Sequence, residues 1–465
     1  MTTPKEHNSQ RSDTLQAKSF DNNAAAMSLT DNPDFENGRW FPTWRSYQGN
    51  LDRDPVGINE YLPPTKSLLL GVQHTFAMFG ATVLAPLLMG FDPNLAILMS
   101  GICTVMFFVI TGGRMPSYLG SSFAFIGPVI AVTAYAGVGF NSNLDVALGG
   151  IMACGIIYAL VGLLVMKTGT GWIERLMPPV VTGAIVMIIG LNLAPVTIQG
   201  ISANQFDAWM ATLTVLLISS VAVFTRGMLR RLLLLAGLVL SYIIYYITTN
   251  VLGFGTPIDF SSVSAASWFG LPSLHTPRFE LSAIVLIAPI AFILVAENLG
   301  HFKAVEGMTK ARVTPYMGRA FFADGLATTF SAGFGGTGVT TYAENIGVMA
   351  VTKVYSTTIF VIAGLVAIML GLSPKFGAII QTIPPALLGG ASIVVFGLIA
   401  IAGAKIWIDS HVDFTKNSNL IIAAVTVIMG TGNFSLHLGG FDLGGIGTAT
   451  LTAIVLNALF NSQKH

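Results

Sequence analysis

Residues 281–301 read LSAIVLIAPIAFILVAENLGH: sixteen uncharged residues, then Glu297, with His301 four positions further on. A run this long and apolar reads as a bilayer-spanning helix. A carboxylate inside such a helix costs roughly 2.5–3.5 kcal/mol on insertion scales. A second acid, Glu344, sits among small and apolar residues between Gly338 and Val351. Intramembrane acids of this kind face a protein interior or a cavity and handle ions, protons or polar molecules. The pair therefore points to transport.

Composition agrees. AVILMFWYC residues make up 53% of the 465 residues, Gly adds 50, and DEKR residues are only 10%, against about 25% in soluble domains. No soluble fold of this size fits. A net charge of +1 leaves no basic face for nucleic acid, so no such partner is expected. Cys103 and Cys154 lie in apolar runs and read as packing residues. The seven His are scattered, and no HExxH or comparable motif supports a metal, a cofactor or an enzymatic reaction. Residues 1–62 are rich in Asn, Asp, Ser and Lys and read as a mostly disordered cytoplasmic tail. Within it, Trp40, Phe41, Trp44 and Tyr47 form an aromatic cluster suited to the membrane interface.

Outward from the opening run, apolar stretches of spanning length recur. Seven fall near 67–90, 94–112, 118–136, 145–166, 178–194, 208–225 and 232–252; after a polar external connection over 253–280, seven more fall near 281–302, 316–333, 337–352, 354–372, 384–404, 419–434 and 444–460. The expected fold is an all-α polytopic membrane protein of fourteen transmembrane segments. Loop charge tests the count, because cytoplasmic loops accumulate Lys and Arg. With both termini inside, the inner loops carry thirteen such residues and the outer loops only Arg278 and Lys375. A seven-segment unit duplicated in sequence must insert upside down relative to its twin, so a 7+7 inverted repeat follows. Pro178-Pro179 and Pro384-Pro385 open the fifth and twelfth segments alike.

The third and tenth segments start with small and hydroxyl-bearing residues, Tyr118–Phe125 and Gly336–Asn345. Ser-Ser-Phe-Ala-Phe and Val-Thr-Thr-Tyr alternate as strands do, so each segment is expected to be part strand and part helix. Paired antiparallel, the strands would satisfy one another's backbone groups. Gly-interrupted segments at corresponding places in two inverted halves mark a midplane binding site. Around it the spacing puts Glu297 and His301 on one helical face, in reach of each other as a proton relay. Glu344 falls near a half-helix N-terminus, where backbone dipoles favour an anion. Gln73-His74 is the counterpart of the Glu297 region in the first half, and Asp324 is the remaining intramembrane acid. His74 and His301 read either as structural hydrogen-bond partners or as proton carriers, and Asp324 either as a brace or as part of the relay. Ser121 and Ser122 read either as site residues or as small residues that permit close packing.

The run Glu344-Asn345-Ile346-Gly347-Val348-Met349-Ala350-Val351-Thr352-Lys353 resembles the signature of the nucleobase/ascorbate transporters (nucleobase:cation symporter-2). Gln73-His74, Ser121-Ser122-Phe123 and Ala296–His301 are similar to further motifs of that family. The likeness covers residues 62–461 and is greatest to the uracil permeases, in particular the pyrimidine-utilisation type, where the signature begins with Glu as here.

The resemblance implies a core domain over 63–170 and 281–373 and a gate domain over 171–252 and 374–461, with alternating access between them. It implies a pyrimidine nucleobase, uracil first, bound by Glu297 and Glu344. The amides of Phe123 and Ala343 would meet the ring carbonyls, with Ser122 beside them and Phe123 or Tyr342 covering the ring. His301, Glu297, Asp324 and His74 would serve proton coupling. Uracil permeases often carry Gly where this chain has Ala343, so the pocket is expected to be reshaped there. The implied setting is a bacterial inner membrane, with lipid around the protein, a proton or Na+ as the coupling ion, and a homodimer as an option. The alternatives are a purine (xanthine or urate) symporter of the same family and an anion exchanger of related fold.

Overall fold

The structure, a computed structural model, describes residues 39–51, 53–135, 139–201, 204–438 and 441–462. A helix overlaps each of the fourteen apolar stretches. They are α1 (Pro64–Met89), α2 (Pro93–Thr111), α3 (Ile126–Thr133), α4 (Leu144–Thr168), α5 (Pro179–Ile201), α6 (Gln205–Phe224) and α7 (Leu233–Tyr246). Then follow α8 (Ile290–Thr309), α9 (Met317–Gly333), α10 (Ala343–Thr352), α11 (Thr357–Gly371), α12 (Pro385–Asp409), α13 (Asn417–Thr431) and α14 (Gly444–Ser462). Among the described residues, seven helical segments are long and apolar enough to cross a membrane alone, or eight if α11 and the bent Pro374–Gln381 count as one. The others are shorter, and α3 and α10 are short because strands precede them.

Local signals set the helix ends. Pro93 occupies the first turn of α2 behind Asp92, whose side chain accepts from the Asn94 amide at 2.8 Å. Gly90 and Gly112 close α1 and α2 with φ of 74° and 67°. The segment expected over 281–302 is two helical pieces, Leu281–Ile287 and α8, separated by Ala288-Pro289. Pro289 has no amide to continue the ladder.

Helices α1–α4 pack chiefly with α8–α11, whereas α5, α6 and α7 pack with one another and with α12–α14. Glycines set the closest approaches. A Cβ on Gly155 of α4 would stand 2.8 Å from the Gly325 carbonyl of α9, and one on Gly325 would stand 2.7 Å from the Gly155 carbonyl. A Cβ on Gly364 of α11 would likewise stand 2.9 Å from the Gly101 carbonyl of α2. Small residues let backbones meet where lipid offers no hydrophobic drive to associate.

At the centre, β3 (Leu119–Ser121) and β4 (Val339–Thr341) pair antiparallel, Leu119 opposite Thr341 and Ser121 opposite Val339. Two further short strands, β1 (Arg45–Ser46) and β2 (Glu60–Tyr61), pair in parallel ahead of α1. They belong to a correction. Residues 39–51 and 53–62, expected as part of a mostly disordered tail, are folded against the helices. The Val56 amide donates to the Lys353 carbonyl at 2.9 Å, and Val56, Ile58 and Leu62 are buried. Trp44 stacks on Phe108 with ring centroids 5.7 Å apart, and the Arg319 guanidinium lies over Trp40. A few apolar and aromatic residues find partners at the helix ends, which average composition hides. Residues 1–38 and 52 of that tail lie outside the described residues.

The glycine contact yields a test. Gly325→Val should lower stability in detergent by about 1–3 kcal/mol, as overpacking does. Gly333→Ala, which adds a methyl group into open space, should leave the melting temperature near that of the parent.

Candidate functional site

The site is built on the strand pair. Each strand runs straight into a helix start: Ser122 caps a 3₁₀ turn, Phe123–Phe125, that leads into α3, and Tyr342 in extended conformation precedes α10. Phe123 and Ala343 are thus the first helical residues after their strands, and amides at that position have no intrahelical acceptor. Two helix N-termini, with their partial positive charge, flank one short ladder. The ladder edges are covered by threonines on α2 and α9. Thr104 Oγ1 accepts from the Leu119 amide at 3.0 Å, and Thr328 Oγ1 accepts from the Val339 amide at 3.2 Å.

Helix α8 packs on β4, on α10 and on the Phe123 turn, and so carries Glu297 to the same place as Glu344, which lies in the first turn of α10. The two carboxyls are near enough to feel each other's charge. Both are partly exposed, as are His301 and Phe123, while Ala343 and Gly300 are exposed. The acids therefore look into an open recess. Among the described residues neither carboxylate has a salt bridge or a hydrogen bond to another side chain. The Phe123 ring meets Phe396 of α12 edge-on, with centroids 6.2 Å apart.

Behind the recess lies a buried polar chain. His301 Nδ1 bonds Thr341 Oγ1 at 2.9 Å, and the Thr341 hydroxyl donates to Asn298 Oδ1. Asn298 Nδ2 donates in turn to Asp324 Oδ2 at 2.6 Å and to the Tyr158 hydroxyl at 2.7 Å. Asp324 is fully buried, and its Oδ1 has no hydrogen-bond partner. On the other side, Asn345 Nδ2 meets His74 Nδ1 at 3.0 Å and also donates to the His74 carbonyl, while the His74 ring packs on Phe360. The residue next to each acid, Asn298 or Asn345, is thus a buried tether.

Several expectations change. Glu297 and His301 share a helical face, but His301 is tied to Thr341 of β4 rather than to Glu297. The Tyr342 side chain turns inward: its hydroxyl donates to the Ser121 carbonyl at 2.9 Å and takes the Thr82 hydroxyl at 3.1 Å. It braces the strands and does not cover a ring in the recess. Ser122 is buried, with its hydroxyl capping the Ala124 amide at 3.3 Å. Sequence alone assigns no individual role to Asn298, Asn345, Thr341 or Tyr158. The available signal was the Glu-Asn pair at 297–298 and again at 344–345. A cavity of about 550 Å³ lies one to two turns from Glu297 along α8, with Ile290 and Ile293 in its lining.

Comparison with known proteins fits this architecture. The family model Xan_ur_permease, described as a permease family, matches residues 65–439. RutG of Escherichia coli (strain K12), named as a pyrimidine permease, is 62% identical over 423 residues, covering 91% of this chain and 96% of its own length. The uracil permease of the same strain is 38% identical over 416 residues, covering 88% and 95%. That of Bacillus subtilis (strain 168) is 33% identical over 433 residues, covering 88% and 96%. Among solved structures, the transmembrane domain of the cyanobacterial bicarbonate transporter BicA has a TM-score of 0.58 at 16% identity, covering 84% of this chain and 96% of that one. The murine anion transporter Slc26a9 has a TM-score of 0.65 at 12% identity, covering 98% and 74%. These two likenesses concern the fold alone. The apolar helices and the match over most of the chain agree: this is a multi-pass membrane transporter rather than an enzyme, and it belongs to the Xan_ur_permease permease family.

Proposed function

We propose that this protein is a secondary active transporter that imports a pyrimidine nucleobase, uracil first, together with a proton. The observation that carries the reading is the pair of unpaired carboxylates, Glu297 and Glu344, looking into one recess beside two free helix starts. Uracil presents N–H donors and carbonyl acceptors around a flat ring. Carboxylates accept from the N–H groups while the amides of Phe123 and Ala343 donate to the oxygens, and the Phe123 ring covers one face. The names of the relatives support the same substrate class. Two acids without a neighbouring cation are a poor site for an anion, which separates this chain from the anion carriers that share its fold.

Coupling uses the chain behind the recess. His301 reads the position of β4 through Thr341, and Asn298 links that contact to Asp324. His74 positions Glu344 through Asn345. A proton held among Glu297, His301 and Asp324 favours the loaded site, and each proton carried inward contributes about 2.3 kcal/mol per 100 mV of membrane potential.

The topology we infer has fourteen spans as a 7+7 inverted repeat, with both termini on the cytoplasmic side of a bacterial inner membrane. Reciprocal pairing supports it: α2 packs on α11 as α9 packs on α4, and Thr104 serves β3 as Thr328 serves β4. The helix groups α1–α4 with α8–α11, and α5–α7 with α12–α14, act as core and gate in alternating access.

Right-side-out vesicles carrying the protein should take up radiolabelled uracil, faster when the outside is acidified; uptake indifferent to the gradient would remove the proton from the scheme. Glu344→Gln should weaken uracil binding roughly 10- to 150-fold, the effect of losing a charged hydrogen-bond acceptor of about 1.5–3 kcal/mol. His301→Ala should flatten the pH dependence of uptake while changing the affinity for uracil by less than about fivefold. Titration calorimetry beside uptake assays separates the two effects.

A further inference from the structure

Residues 39–51 and 53–62 cross the inner side of the proposed topology as a strap held at two seats. The first seat is Gly112-Gly113-Arg114, the turn that leads from α2 towards β3. Both glycines are left-handed, with φ of 67° and 64°, and a side chain on either would strike the strap. A Cβ on Gly112 would meet the Trp40 carbonyl, and one on Gly113 would stand 2.7 Å from the Trp44 ring. Trp40 Nε1 donates to the Val109 carbonyl at 2.8 Å, and Arg114 Nη2 donates to the Arg39 carbonyl. From the second half of the chain, the Arg319 guanidinium of α9 lies 4.6 Å from the centre of a Trp40 ring.

The second seat is the link between α10 and α11. Helix α10 stops at Lys353, whose φ is 54°, and the chain beyond it runs beside the strap as a parallel bridge, Val56 opposite Val354. The Val56 amide donates to the Lys353 carbonyl at 2.9 Å, the Tyr355 amide to the Val56 carbonyl at 3.0 Å, and the Thr357 amide to the Ile58 carbonyl at 3.1 Å. Val56, Leu62, Val354 and Ile359 form a small buried cluster there. Trp44 joins the two seats: its ring stacks on Phe108 of α2, while its Nε1 donates to the Thr357 hydroxyl at 3.3 Å. Every partner named here belongs to the α1–α4 and α8–α11 group.

One seat lies shortly before β3, and the other directly after α10, the ten-residue helix that carries Glu344 in its first turn. A helix this short is not stable by itself, so its position is set by what holds its ends. The end nearer the recess is held by β4 and by the contact of Asn345 with His74. The strap holds the other end. We propose that the strap is a positioning clamp for the binding site: by fixing the end of α10 against the turn before β3, it keeps Glu344 and the Ala343 amide in place opposite Phe123. Because all its partners lie in one helix group, the clamp stays seated while that group moves against the other. This rests on the reading of Glu344 as a group that binds the pyrimidine.

Uracil binding by the purified full chain tests the clamp. Trp44→Ala removes the side chain shared by the two seats and should raise the Kd for uracil about three- to tenfold, the scale of one hydrogen bond. Adding Val56→Cys and Val354→Cys lets the strap be fastened at will, because bridge partners stand about 5 Å apart, within the Cα range of a disulfide. The native Cys103 and Cys154 are buried. In this triple variant the Kd should be raised under reductant and return to within about twofold of the parent on oxidation. One folded sample is read twice, so a loss caused by misfolding alone does not reverse. With Trp44 in place, the oxidised Val56→Cys, Val354→Cys protein should take up uracil at about the parent rate. A parent-like Kd in Trp44→Ala, a Kd that stays raised after oxidation, or uptake arrested by the disulfide overturns the clamp and leaves the transport reading intact. Failure of the parent protein to bind uracil overturns both, and appears in that control alone.

Discussion

Everything in the centre of this protein depends on one constraint: backbone amides and carbonyls at membrane depth must find partners inside the protein. Two segments break their helices there to present polar backbone, and the break is tolerable only because β3 and β4 pair with each other. A two-stranded ladder still has two edges. Thr104 and Thr328 close them, each taking a strand amide and returning its hydroxyl to the same residue's carbonyl. The strands lead into the two helix starts at Phe123 and Ala343, where the acids also gather.

The buried layer behind the recess is tied by side-chain hydrogen bonds, whereas the two acids in front of it are not. Asn298 uses both ends of its amide, joining Thr340 and Thr341 of β4 to Tyr158 and Asp324. Asn345 grips His74. Asn298, bonded through both amide atoms, resists displacement in a low-dielectric interior, while Asn345 is tied through Nδ2 alone. Glu297 and Glu344, one residue away from these anchors, are held in place by them while their own oxygens stay available. Position and reactivity are divided between adjacent residues.

The fold resembles that of a bicarbonate transporter and an anion transporter at 12–16% identity. On the function proposed above, selection falls to what the two helix starts hold between them. In this chain that is a pair of carboxylates, which reverses the preference expected of bare helix N-termini for anions. On the function proposed above, a fold that offers positive backbone ends becomes suited to a neutral ring rich in N–H donors once carboxylates share the recess with those ends.

Much of this was legible from residues alone. Hydropathy located the helices, since a helix overlaps every expected stretch, and the hydroxyl-rich starts at 118 and 336 marked the strands. Glu297 and Glu344 stood out because charge among apolar residues is costly wherever the chain folds. Side-chain partnerships were not legible. His301 to Thr341, Tyr342 to Ser121 and Asn345 to His74 depend on register between segments 40, 221 and 271 positions apart, and residues 39–51 and 53–62 fold where helix ends offer them a surface. Apolarity, charge and local propensity are properties each stretch carries with it, so the sequence alone determined the membrane class, the segments and the exceptional acids. Which polar groups meet, and which are left free to meet a substrate, is decided when distant segments pack, because a hydrogen bond needs both partners within about 3 Å and at the right angle.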